Sequence, residues 1–277
     1  MQKMSFSEIT RPCDLVDYLK DSQRFNSVKT LTKYMKLSSL HDMFYFGTLF
    51  INNPKNMNDL YEYRGFKPLS RWEKICFSSF IIQSDENMAM WSMYAQPWEE
   101  GVMVSIPMAP LKALLSEEAI LISAEYDKDT SRYKPGNATI PSNGIVSLSR
   151  VAYFDGATIT CTGRDDRNHN FRNPYTIPEF TGYIKDSAWA YEKEARLRVD
   201  LPETYNQSAI YLKLPDLLLK QIRITTGPRF AGSVLMSIPL KYRPQISISS
   251  SKFNEKIAWI PCDTCKYRKN MADGSNC

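Results

Sequence analysis

The chain has 277 residues, 43% of them hydrophobic and 12% aromatic, with 35 Lys and Arg against 30 Asp and Glu and a net charge of +5. That content supports a sizeable core, and the mild basic excess admits an anionic partner without the extreme charge of a nucleic-acid-coating tail. Six cysteines are too few for a disulfide scaffold, MQKMSFSEITRPC has no apolar signal core, and no run of about 18 apolar residues occurs, so a cytoplasmic protein with no membrane contact is expected.

Residues 1–27 read as an N-terminal helical extension, in which CDLVDYLKDSQRF spaces Leu15, Tyr18 and Leu19 helically before turning polar. A strand from Leu31 to Met35 follows, then a helix capped by Ser38 or Ser39 that runs through Phe46 and stops at Gly47. TLFINN is a second strand and NPKNMND a loop. KICFSSFII reads as a buried strand, MAMWSMYA as a short helix, GVMVSIP as a strand, and APLKALLSEEAILI as a helix opened by Pro110. Beyond residue 125 the pattern is uneven: IVSLSRVAYF and ATITCTG are expected strands, and GRDDRNHNFRNPY is a loop mixing Arg, His and aromatics.

WAYEKEARLRV, residues 189–199, supports two conformations. As a strand it sets Trp189, Tyr191, Ala195, Leu197 and Val199 on one face and Glu192, Glu194, Arg196 and Arg198 on the other. As a helix it pairs Glu192 with Arg196 and Glu194 with Arg198 as solvated surface. LPDLLLKQI then reads as helical, and RITTG, SVLMSIPL and QISISSS as strands. No fixed-period repeat or Gly/Ser linker divides the chain, so one domain over 28–248 is expected, with a polar tail over 249–277. The mixture implies an α+β fold around a bent or split mixed sheet with flanking helices.

Several chemistries lack their signatures. Only His41 and His169 are present, with no nucleophile elbow, which sets aside a hydrolase triad. None of the eleven glycines forms G-x-G-x-x-G or G-x-x-x-x-G-K-[ST], so a nucleotide would have to be held another way. Cys262, Cys265 and Cys277 have no fourth zinc ligand near them in sequence, and they read as free thiols of a polar tail; Cys13, Cys76 and Cys161 read as reduced. No metal site is expected.

Five short blocks stand in order: Lys33-Tyr34; Asn58-Asp59-Leu60-Tyr61-Glu62; Cys76-Phe77-Ser78; Trp91-Ser92-Met93-Tyr94-Ala95 with Gly101-Val102; and Lys185 with Trp189, Tyr191, Glu192, Glu194 and Arg196. Over roughly residues 31 to 230 they resemble bacterial domain-of-unknown-function family 2971, with Leu60 in place of a usual proline. Their order also resembles ADP-ribosyltransferases of the DNA- and RNA-modifying toxin type, including the mRNA-modifying toxins of toxin–antitoxin–chaperone phage-defence systems. The resemblance implies an ADP-ribosyltransferase-like catalytic domain that consumes NAD and modifies a macromolecule, with nucleic acid favoured as the acceptor. It also implies a neutralising antitoxin or chaperone, for which residues 1–27 are a natural contact.

On that reading Glu194 stabilises the developing positive charge on the ribose, Glu192 orients or deprotonates the acceptor, and Arg196 keeps the carboxylates ionised. Lys33, Tyr34, Asn58, Asp59, Ser78, Trp91 and Tyr94 are the expected NAD contacts, and Tyr94 is the candidate for stacking on nicotinamide. Arg164, Arg167 and Arg172 are the expected acceptor contacts, with His169 and Phe171 between them. Each has a plainer role open to it. Trp91 suits an ordinary core, Asn58 and Asp59 a turn, and the Arg-rich loop a solvated surface. Two other functions compete: a metal-dependent nuclease in which Asp59 or Glu62 joins Glu192 and Glu194 around Mg²⁺, and a non-catalytic recognition domain with a charged docking face.

Overall fold

The computed structural model describes residues 25, 28–54, 74–82, 85–117, 119–140, 146–154, 182–205 and 209–254. The strands are β1 (Thr30–Lys36), β2 (Thr48–Asn52), β3 (Ile75–Ile81), β4 (Gly101–Pro107), β5 (Leu121–Asp127), β6 (Arg132–Ile140), β7 (Val146–Arg150), β8 (Ala152–Phe154), β9 (Ile184–Asp186), β10 (Glu194–Asp200), β11 (Ala209–Lys213), β12 (Arg223–Thr226) and β13 (Ser247–Ser250). The helices are α1 (Leu37–Phe46), α2 (Met88–Tyr94), α3 (Met108–Glu117) and the single turn α4 (Asp216–Leu219).

Eleven strands make one mixed sheet in the order β13-β12-β4-β1-β3-β2-β11-β5-β6, with β10 against β3 and β7 beyond it; β8 and β9 pair separately and in parallel. A large mixed sheet with few helices is an α+β arrangement. The centre of the sheet is split. β10 pairs with β3 along all seven residues from Ile75 to Ile81, whereas β1 meets β3 at Thr32–Ile81 and β2 meets it at Asn52–Phe77. Between those two bridges β1 and β2 diverge and leave the edge of β3 away from β10 without a continuous neighbour.

One face of the sheet buries Leu31, Met35, Leu49, Cys76, Phe80, Val104, Leu197, Val199 and Leu212 against Leu40, Met43 and Phe44 of α1 and Leu111 of α3. Each such side chain contributes about 1.5–3 kcal/mol on leaving water. The other face carries a smaller cluster in which Tyr34, Ile81 and Met103 pack on Met90 and Trp91 of α2.

α1 stops as expected. Gly47 adopts φ 62°, and its N–H bonds to the Met43 carbonyl. Neither Ser38 nor Ser39 caps the start. The N-cap is Lys36 with no side-chain bond, because β1 runs directly into α1 and leaves no loop residue for the task. α3 ends at Glu117, short of the expected Ile122. Leu121 is instead drawn into β5, where it pairs with Leu212 and Ile140 and is fully buried. The β5–β6 hairpin and β11 were not legible in the sequence. IVSLSRVAYF divides at Val151 between two sheets, and SVLMSIPL forms a 3-10 helix over Val234–Ser237 rather than a strand. β13 crosses the boundary expected at 248, and Ser251 and Lys252 bond to Glu86, so the folded body runs past it. The N-terminal extension apart from Phe25, the strand ATITCTG and the cysteine-bearing tail lie outside the described residues.

Candidate active site

The ambiguous stretch is neither of its two conformations alone. Ser187–Glu192 is a 3-10 helix, Lys193 is left-handed at φ 46°, and β10 begins at Glu194. Asp186 caps the 3-10 turn by accepting from the Ala188 N–H. The left-handed residue reverses the chain locally, and the Lys193 carbonyl accepts from the Ile82 N–H. This kink brings Glu192 and Glu194 to one spot, which an unbroken strand achieves by alternation and this chain achieves by a turn.

Both carboxylates are buried, at 2% and 4% exposure. Arg196, fully buried, donates from Nε to Glu194 Oε1 at 2.6 Å and from Nη2 to Oε2 at 3.0 Å. Its remaining arm donates to the Gly182 carbonyl at 2.9 Å, and its plane lies 5.5 Å from the Phe77 ring. Gly182 is required there: its φ is +83°, and a Cβ would lie 2.0 Å from the Phe77 ring. Lys185, on β9, donates from Nζ to Glu192 Oε2 at 2.6 Å and reaches Glu194 Oε2 at 3.5 Å, with its ammonium 4.5 Å from the Trp189 ring. Tyr94 Oη donates to Glu192 Oε1 at 2.6 Å, and Tyr153 Oη accepts from the Glu194 N–H at 2.7 Å.

Burial by itself pushes the Glu194 carboxyl up, but Arg196, Lys185 and a hydrogen bond from Ser79 outweigh it and hold the group well below the usual carboxylate range. Tyr94 is pushed up by burial and then by its bond to Glu192, so it stays a neutral donor. Tyr153 is likewise raised by burial.

Tyr94, Lys185, Glu192, Glu194 and Arg196 stand in the wall of a cavity of about 510 Å³ at the split of the sheet, within the range of small-ligand sites. Lys33 reaches into the gap from β1 and donates to Ser78 Oγ at 3.1 Å and to the Ser79 carbonyl at 2.9 Å, taking the place of a missing ladder partner. Burial lowers its pKa to about 8, against the opposing pull of Glu194. Among the described residues, four cationic side chains, Lys33, Arg132, Lys185 and Arg196, and three anionic ones, Asp42, Glu192 and Glu194, line the cavity.

Of the expected residues, Lys33, Tyr34, Ser78, Tyr94, Glu192 and Glu194 line the cavity together. The hydroxyl of Tyr34 is committed to the fold, since it accepts from the Asn87 N–H at the start of α2. Trp91 is placed behind the wall and not on it. It is 2% exposed, packs edge-on against Tyr34 at 4.8 Å and donates to Glu86, because its position on α2 points it into the smaller core. Asn58, Asp59, Glu62, Arg164, Arg167, His169, Phe171 and Arg172 lie outside the described residues. Sequence reading assigned no role to Lys185, Tyr153 or Ser79. Lys185 stood within a quoted block, but only the β8–β9 pairing sets it beside both glutamates.

No family model matches the chain, and no curated protein matches it. Among solved structures, similarity is found to Thermus sp. 2.9 DarT in complex with carba-NAD+, at TM-score 0.33, and to Thermus sp. 2.9 DarT in complex with NAD+, at 0.34. Each is 11% identical and is matched over 83% of this chain and 98% of that one. A likeness that loose carries no argument about the chemistry of this chain.

Proposed function

We propose that this protein is an NAD-dependent ADP-ribosyltransferase acting on a macromolecule, with nucleic acid the favoured acceptor and a defence toxin the favoured setting. The observation that carries this reading is Glu194: an ionised carboxylate buried at the start of β10, facing a cavity that opens beside the Lys33 strand. Leaving of nicotinamide takes the N-glycosidic electron pair and builds positive charge on the ribose, so a fixed anion there lowers the barrier. Arg196 and Lys185 fix Glu194 in place and cost no reorganisation during the reaction. The long 3.5 Å bond from Lys185 is the one a ribose hydroxyl displaces. Glu192, held by Tyr94 and Lys185, stands beside it to accept the proton of the attacking group. The Lys33 ammonium in the wall suits the pyrophosphate.

The nuclease reading is disfavoured by Lys185, whose ammonium sits between the two carboxylates where a divalent ion would have to bind. The test is incubation with labelled NAD and total cellular RNA, DNA and protein. Label is expected in a nucleic acid fraction and is lost with Glu194→Gln. Equal labelling by that variant refutes the site assignment, and no labelling of any fraction refutes the transferase.

A further inference from the structure

The end of the cavity away from the glutamates is built differently. Phe50 from β2, Tyr211 from β11 and Tyr133 from β6 come together in its wall. Phe50 lies 5.2 Å from Tyr211 and 5.9 Å from Tyr133, nearly parallel to the latter at 29°. Tyr126 abuts Tyr133 edge-on at 5.2 Å. Tyr211 is buried and its hydroxyl donates to the Tyr133 carbonyl, so the platform is fixed from below. Phe50 is 36% exposed and stands on the face of β2 opposite to the buried Leu49 and Ile51, where it lines the cavity. Beside it, Arg132 pairs with Asp42 at 2.7 Å, and both line the same cavity.

We infer that this aromatic shelf is a nucleobase-binding subsite: a base stacks on the open face of Phe50, and the Arg132–Asp42 pair offers donors and acceptors to its edge. The inference rests on the transferase reading only in placing the shelf and Glu194 in one cavity. A flat heteroaromatic ring fits because stacking rewards any base, at about 1–3 kcal/mol per base, while a donor–acceptor pair at the rim meets a polar edge that an aliphatic ligand lacks. Cross-strand pairing of Phe50 with Tyr211 accounts for their contact, but not for leaving the Phe50 face toward a cavity. The base has two sources, the adenine of the dinucleotide or a base of the acceptor strand.

Binding is measured by calorimetry for ADP-ribose, AMP, nicotinamide mononucleotide and a single-stranded RNA decamer, on wild type, Phe50→Leu, Phe50→Trp and Tyr133→Leu. If the shelf holds adenine, Phe50→Leu weakens ADP-ribose and AMP by about 5- to 100-fold and leaves nicotinamide mononucleotide unchanged. If it holds an acceptor base, the decamer weakens and ADP-ribose does not. In either case Phe50→Trp retains wild-type affinity or exceeds it. The shelf is overturned if wild type binds no base-containing probe, or if Phe50→Leu and Tyr133→Leu bind all of them as wild type does. Should Phe50→Leu fail to fold, Tyr133→Leu and Phe50→Trp decide between the same outcomes. AMP binding that depends on Phe50, in a protein that consumes no NAD, keeps the shelf and removes the transferase.

Discussion

β10 has two faces that its sequence distinguishes and its environment does not. Ala195, Leu197 and Val199 on one face are fully buried in the main core. Glu194, Arg196 and Arg198 on the other are also buried, at 4%, 0% and 8% exposure. In an ordinary half-buried strand the charged face is wet and its ion pairs are worth little. Here the charged face has been taken out of water, and desolvating it offsets much of the attraction between its charges. A pair of carboxylates held there by two cations is weak evidence for stability and stronger evidence for a site. The apolar face belongs to the main core, and Glu194 and Arg196 of the polar one line the cavity.

The largest effect is expected at Glu194. Glu194→Ala leaves the Arg196 guanidinium buried without its anion, which costs about 3–5 kcal/mol in denaturant unfolding, and loss of the anion lowers labelling by about 10²–10³-fold. Glu194→Gln keeps the shape, so its labelling should fall comparably while its unfolding midpoint falls less; loss of stability without loss of rate would make the charged face structural. On the opposite face, Leu197→Ala should cost about 2–5 kcal/mol, with the rate per folded molecule unchanged. A changed KM in that variant would mean that the two faces are coupled.

Lys33 gives a pH signature. Its ammonium titrates near 8, lowered by burial, so binding of an anionic ligand should weaken from pH 7 to 9 and be flattened by Lys33→Gln. The unfolded chain, with Lys33 near 10.5, holds more protons than the native one between about 8 and 10.5, so this residue makes stability rise with pH across that window. Glu194 acts with the same sign in a lower window, since the unfolded chain with this carboxyl near 4.5 holds more protons than the native one down to about 2. Its stability contribution is present above about 4.5 and is lost as pH falls from there to about 2, while the native carboxylate stays ionised at pH 5, so no acid limb of activity near pH 5 should trace to it.

The smallest effect lies at Lys193. A left-handed non-glycine residue costs about 1–2 kcal/mol, and the extra chain entropy of glycine offsets about 0.5–1 kcal/mol of any relief. Lys193→Gly should therefore leave stability level or raise it by up to about 1.5 kcal/mol, while Lys193→Val lowers it, both read from unfolding midpoints.

Much of this was legible in the chain before any coordinates. Strands were expected at β1, β3 and β4 and Gly47 marked the end of α1, while β10 was one of two conformations open to its stretch; Glu192, Glu194, Lys33, Ser78 and Tyr94, all within the ordered blocks, line one cavity. What was missed has a common cause. Leu121 and the β11 residues carry too little local signal to separate strand from helix, and long-range pairing decided them. Arg132 and Tyr133 carried no signal at all, and only the pairing of β6 with β5 brings them to the cavity.

The sequence by itself determined composition, the alternation of β10 and the residue types a charge-stabilising site needs, because periodicity and side-chain chemistry are properties of neighbours along the chain. Only the tertiary structure decided that the charged face is dry, that Lys185 and not Arg198 joins the two glutamates, and that Phe50 opens onto the same cavity. Burial and partnership depend on strands remote in sequence meeting at one split in a sheet, which no local pattern encodes.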